Sequence, residues 1–115
     1  MPSRKTQKES IMHWLDILTQ QKEKNQEIAK AALKLASLPR RKEVAVNIRK
    51  IDKIAKEHDN LVVPGKVLAA GDPTKAYSIA AIAFSKEAER KLKEKGCSII
   101  DIKEMLQKDN LKIVH

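Results

Sequence analysis

Residues 61–85, LVVPGKVLAAGDPTKAYSIAAIAFS, constrain the fold of this 115-residue chain more than any other stretch. Leu61–Val63 and Lys66–Ala69 read as two short strands. Pro64-Gly65 suits a turn between them, since proline pre-sets φ and glycine tolerates a positive φ. Gly71-Asp72-Pro73 reads as a loop. Tyr77–Phe84 is almost continuously apolar, as expected of a strand buried on both faces. A buried helix competes for the same run, but β-branched Ile79 and Ile82 and the nearby Pro73 favour a strand.

Helical signals surround this segment. Ile11, Trp14, Leu15 and Leu18 fall at i, i+3, i+4 and i+7, one face of a first helix that Ser10 is placed to cap. The wholly polar residues 20–25 predict a turn. A second helix, about Gln26 to Ala36, sets Ile28, Ala32 and Leu35 on one side and stops before Pro39. Asn47 suits the N-cap of a third, about Ile48 to Glu57, with Ile48, Ile51, Ile54 and Ala55 facing inward. Ser85 caps a charged helix that Gly96 ends. Asp101 and Glu104 form a capping-box variant opening the last helix, and Leu111–Val114 supplies a closing strand. These signals predict a basic flexible arm over 1–8 and one domain over 9–115, helical over 9–57 and mixed α/β over 58–115.

Charge says more about partners than about fold. The chain carries 24 Lys and Arg against 15 Asp and Glu, a net +9. Residues 30–58 hold nine basic and three acidic side chains, so most of the excess lies beside the β-rich segment. A packed scaffold with a concentrated cationic surface suits an anionic polymer. Arg40, Arg41 and Lys42 lie in a connection after Pro39, and arginine reaches phosphate bidentately. Arg49, Lys53 and Lys56 cluster on the outward side of the third helix, with Lys50 at its margin. Lys66 lies by the Pro-Gly pair, where backbone approaches a ligand closely. Arg4 and Lys5 belong to the arm.

Little points to catalysis. His13, His58 and His115 are scattered, without the spacing of a metal site. Gly65-Lys66 and Gly71 belong to neither a phosphate-loop nor a dinucleotide fingerprint. Cys97 is the only cysteine, which excludes an internal disulfide and a Cys-based zinc site. It follows a helix exit, where no N-terminal dipole would lower its pKa. No apolar run reaches the ~20 residues that span a bilayer, and MPSRKTQKES has no secretory core. A cytoplasmic non-enzyme without cofactor, metal, membrane or small-molecule substrate is the expectation.

VVPGKVLAAGD, followed by SIAAIAFS and a charged helix, resembles the archaeal and eukaryotic large-subunit ribosomal protein family numbered eighteen-e, a relative of bacterial large-subunit protein fifteen. Pro39-Arg40-Arg41-Lys42, Val46-Asn47-Ile48 and Lys50-Ile51 fit its pattern, so the resemblance covers about residues 38–96. Ala29 departs from it, standing where the family often has tryptophan. The resemblance implies an irregular superhelix of β-β-α turns with additional N-terminal helices. It also implies a structural role in the large ribosomal subunit, with large-subunit ribosomal RNA and neighbouring ribosomal proteins as partners.

Only Trp14, Tyr77 and Phe84 are aromatic. That argues against a single-strand stacking platform and for recognition of folded RNA by shape, phosphate and 2′-hydroxyl contacts. Two other readings remain open at this level. One is a free regulatory or chaperone-like RNA-binding module outside the ribosome. The other is a protein-docking module that uses the Ile11, Trp14, Leu15, Leu18 face.

Overall fold

The apolar runs after residue 60 become neighbouring strands of one sheet, and helices cover its two faces. The computed structural model describes residues 7–20 (side chains from 11 onward), 25–37 and 44–115. Its elements are α1 (Gln7–Gln20), α2 (Gln26–Ala36), β1 (Val44–Asn47), α3 (Ile48–Ile54), β2 (Asn60–Leu68), β3 (Ser78–Phe84), α4 (Lys86–Lys95), β4 (Ser98–Ile99), α5 (Ile102–Met105) and β5 (Leu111–Ile113). Of the arm expected over 1–8, Gln7 and Lys8 belong instead to α1; its residues 1–6, residues 21–24 of the expected turn and the Pro39 helix stop lie outside the described residues.

The mixed α/β expectation holds, and the sheet is parallel throughout. β2 is its centre. One edge pairs with β3, from Asn60↔Ser78 to Val67↔Phe84, and β3 pairs in turn with β4 at Ser78↔Ser98 and Ile79↔Ile99. The other edge is shared end to end. β5 takes Asn60–Val62 and β1 takes Gly65–Leu68. Parallel neighbours require a return connection after every strand, so the chain winds as a coil.

Helices on both faces explain why β2 and β3 read as continuous apolar runs rather than alternating ones. Leu61, Val63, Val67 and Ile79 face one core with Ile48 and Ile51 of α3 and Ala88 and Leu92 of α4. Val62, Ala80 and Ile82 face a second core with Trp14 and Leu18 of α1, Ala29 and Ala32 of α2, and Ile102 and Met105 of α5. Trp14 and Leu18 are each only 3% exposed. The apolar face of α1 is therefore taken up by the protein's own core. Ala29 is buried in that same cluster.

Several local expectations change. Pro64-Gly65 is no turn: β2 runs straight through it, with a register irregularity against β3 between Val63 and Lys66. A bulge tolerates a proline with no N–H to give. Gly65 is required by close approach, because a Cβ there would lie 2.0 Å from the Val44 carbonyl oxygen of β1. β1 itself, four residues long, interrupts the stretch expected to be helical over 9–57. α1 begins at Gln7, so Ser10 lies inside the helix rather than capping it. Ser85 and Asp101 cap as expected, accepting from the amides of Ala88 and Lys103.

Candidate nucleic-acid interface

α3 carries the described part of the cationic surface, and the loop over 69–77 fixes its position. Asn47 stands at the N-cap but makes no side-chain cap bond. The Arg49 amide instead donates to the Ala70 carbonyl at 2.9 Å, so a loop carbonyl supplies what the cap side chain does not. That approach is close: a Cβ on Gly71, whose φ is +94°, would lie 2.7 Å from the Arg49 Cβ. At the other end the helix stops at Ile54, short of the expected Glu57, because Ala55 is extended. Lys75 Nζ donates to the carbonyls of Asp52 (2.8 Å) and Ala55 (2.9 Å), a cation placed on the negative end of the helix.

The acidic groups nearby are occupied. Asp52 accepts from both the amide and the hydroxyl of Thr74, at 2.7 Å each. Burial works against its charge, but the Thr74 bonds and Lys75 outweigh that and hold the carboxyl below its ordinary value. Glu57 accepts from the Ala76 amide at 3.0 Å. Asp59 accepts from Lys112 Nζ at 2.7 Å and from the Lys56 amide at 2.8 Å, and these bonds lower its pKa.

Arg49, Lys53 and Lys56 are exposed. Among the described residues, none of the three has a carboxylate within ion-pair distance. Arg49 and Lys53, four residues apart, share one helix face. Lys50 is exposed beside them and donates from Nζ to the His115 backbone oxygen. Ile54 is not inward-facing as expected. It is 43% exposed, lying one turn beyond Lys50.

Lys66 is separated from this group. It is half-buried in β2 and shares a small crevice with Ile11, Leu35, Ala36 and Ile82, on the sheet face that α1 and α2 cover. Arg4, Lys5, Arg40, Arg41 and Lys42 lie outside the described residues. Sequence reasoning missed the residues that position α3, namely Gly71, Thr74 and Lys75. Their only signal was a Gly-Asp-Pro-Thr loop of ordinary turn composition. Lys91 was also unremarked; it donates to the Ala69 and Gly71 carbonyls at 3.0 Å each and anchors the loop from the α4 side.

Other reactive groups have structural partners. Cys97 is buried, its Sγ donates to the Lys75 carbonyl, and burial raises its pKa. His13 Nε2 meets Asp101 at 3.0 Å, joining α1 to the cap of α5. Among the described residues no three His, Cys, Asp or Glu side chains converge as a metal site, and no helix is long and apolar enough to cross a membrane.

A family model described as the ribosomal proteins L15 and L18e of the 50S subunit, together with their 60S counterpart, matches residues 14–100. The chain is 38% identical over 101 residues to the large ribosomal subunit protein eL18 of Archaeoglobus fulgidus, covering 87% of this chain and 86% of the relative. It is 44% identical over 70 residues to eL18 of Pyrobaculum aerophilum, covering 61% and 57%. It is 47% identical over 73 residues to eL18 of Thermoplasma acidophilum, covering 64% and 60%. The matched residues include the whole of β1, α3, β2, β3 and α4, the elements that build and brace the cationic helix, and the chain belongs to this family of large-subunit ribosomal proteins.

Proposed function

We propose that this protein is an architectural constituent of the large ribosomal subunit that binds folded large-subunit ribosomal RNA through its phosphates. One observation carries the reading. Around α3 the carboxylates of Asp52, Glu57 and Asp59 are turned into bonds with the loop and Lys112, while Arg49, Lys53 and Lys56 remain exposed. Among the described residues, none of these acids lies within ion-pair distance of Arg49, Lys53 or Lys56, which leaves those cations to an anionic partner. Arg40, Arg41 and Lys42, which precede β1 in sequence, and Arg4 and Lys5 near the N-terminus are assigned to the same RNA contact. Lys66, on the opposite sheet face, belongs to a second contact.

The role is positional, with no catalytic step and no cofactor. The cations neutralise phosphates where RNA helices pack, and neighbouring ribosomal proteins complete the site in the cytoplasmic ribosome. Sedimentation of a cell extract in moderate salt, followed by mass spectrometry, tests this. Stoichiometric recovery with the large subunit is expected. Confinement to light fractions would replace it with a free RNA-binding module. Binding to the RNA should weaken steeply with salt, log affinity falling by roughly 0.7–0.9 per phosphate contact for each decade of salt.

A further inference from the structure

We propose that α3 lies in the minor groove of an A-form RNA helix, with Ile54 seated against ribose edges and the flanking cations on the phosphates. This rests on the RNA-binding reading above and names the part of the RNA that the same surface takes. Among the described residues only two large apolar side chains are strongly exposed, Met12 at 60% and Ile54 at 43%. Met12 belongs to α1. Ile54 directly follows Lys53 and lies one turn beyond Lys50, whose ammonium donates to the His115 backbone oxygen, on the helix that also presents Arg49.

Phosphates alone do not account for an apolar side chain at that point. A surface with lysine and arginine around an aliphatic centre is complementary to a groove with phosphates at its rims and sugar carbons on its floor. The minor groove of duplex RNA is such a surface: wide, shallow and lined by ribose with its 2′-hydroxyl, whereas the major groove is too deep and narrow for side chains to read. α3 has seven residues, about 10 Å of helix, short enough to lie across a shallow groove. Stacking on unpaired bases is disfavoured, because Trp14 and Tyr77 are buried and Phe84 packs against the first core.

The test is a binding titration of the full chain against a large-subunit ribosomal RNA transcript over a salt series, with a melt of each variant. Ile54→Ser is expected to weaken binding roughly threefold to tenfold, as follows from losing the burial, on binding, of somewhat under half of an isoleucine side chain. The salt slope should stay unchanged, because no phosphate contact is lost, and Ile54→Leu should keep the affinity. Lys53→Ala should instead lower the slope by roughly 0.7–0.9. If serine at 54 lowers the melt, Ile54→Gln, which keeps length and helix propensity, is expected to show the same loss of affinity. Unchanged affinity in the Ile54 variants, with the Lys53→Ala effect intact, overturns the groove assignment and leaves the phosphate reading standing. An unchanged slope in both Lys53→Ala and Arg49→Ala overturns the RNA reading of α3 and this inference with it.

Discussion

Asp52 grips Thr74 twice, taking its amide on Oδ1 and its hydroxyl on Oδ2, each at 2.7 Å. Lys75, the next residue, returns the contact by donating to the Asp52 carbonyl. Helix and loop are thus tied in both directions within two residues. Asp52→Ala removes two charge-assisted bonds and leaves the Thr74 amide to water, a cost of about 1–2 kcal/mol. Chemical denaturation should show that loss, with RNA affinity falling as α3 loosens. The carboxyl is held below its ordinary value of 3.8, as is that of Asp59. Stability from a depressed carboxylate is full above the unfolded value and is lost as pH falls through the folded one. Acid sensitivity should therefore appear below about pH 4 and diminish in Asp52→Ala. An identical acid limb in the variant would show that this pair is not its source.

Tyr77 is the converse case. Its ring is 2% exposed in the first core, yet among the described residues its hydroxyl has no hydrogen-bond partner. Burial, with Cys97 and Asp52 nearby, raises its pKa far above the usual phenol value. Tyr77→Phe keeps the ring and removes an unpaired polar group, so it should be neutral or stabilising by up to about 1 kcal/mol. A melt lowered by several degrees would reveal a bond that the hydroxyl makes in solution.

What could be read in the sequence follows from the range of each signal. Capping and termination act over three or four residues, so Ser85, Gly96 and Asp101 were legible, and Tyr77–Phe84 declared its burial by composition. Pro64-Gly65 misled because turn chemistry and bulge chemistry use the same residues. Only β1, arriving from about twenty residues upstream, explains why position 65 lacks a side chain. β1 and β4 are too short to show alternation. Ile54 satisfied the helical wheel as an inward residue, but the turn that would have covered it ends one residue later at Ala55. Of the candidate site, the α3 cations were legible as a face. The placement of Lys66 on the other side of the sheet was not, since the bulge resets which side chains point where.

Gly71 tests whether the loop sets the position of α3. Alanine there faces two penalties, a left-handed φ of +94° and contacts of 2.7–2.9 Å with Arg49 atoms. Gly96 has nearly the same φ, +98°, but open space around it. Gly96→Ala should therefore cost only the backbone term, about 1 kcal/mol, and leave RNA binding alone. Gly71→Ala should cost about 1–3 kcal/mol and also weaken binding, because relief of the clash moves the start of α3. Equal losses from the two variants, with binding intact, would mean that α3 keeps its place without the loop.

Lys75 and the Arg40-Arg41 pair should respond in opposite ways, although all three are cations. Lys75 is half-buried and its ammonium is engaged by two helix carbonyls, so Lys75→Met should cost about 1–2 kcal/mol of stability. Its salt slope for RNA binding should not change, because the group holds carbonyls rather than phosphates. If Arg40 and Arg41 serve phosphates as proposed, Arg40→Ala with Arg41→Ala should leave stability within about 0.5 kcal/mol. The same double variant should reduce the salt slope by roughly 1.5, the equivalent of two phosphate contacts. Denaturation and a salt titration on the same preparations separate the two roles. A destabilised double variant with an unaltered slope would make the two arginines structural and remove them from the proposed RNA surface.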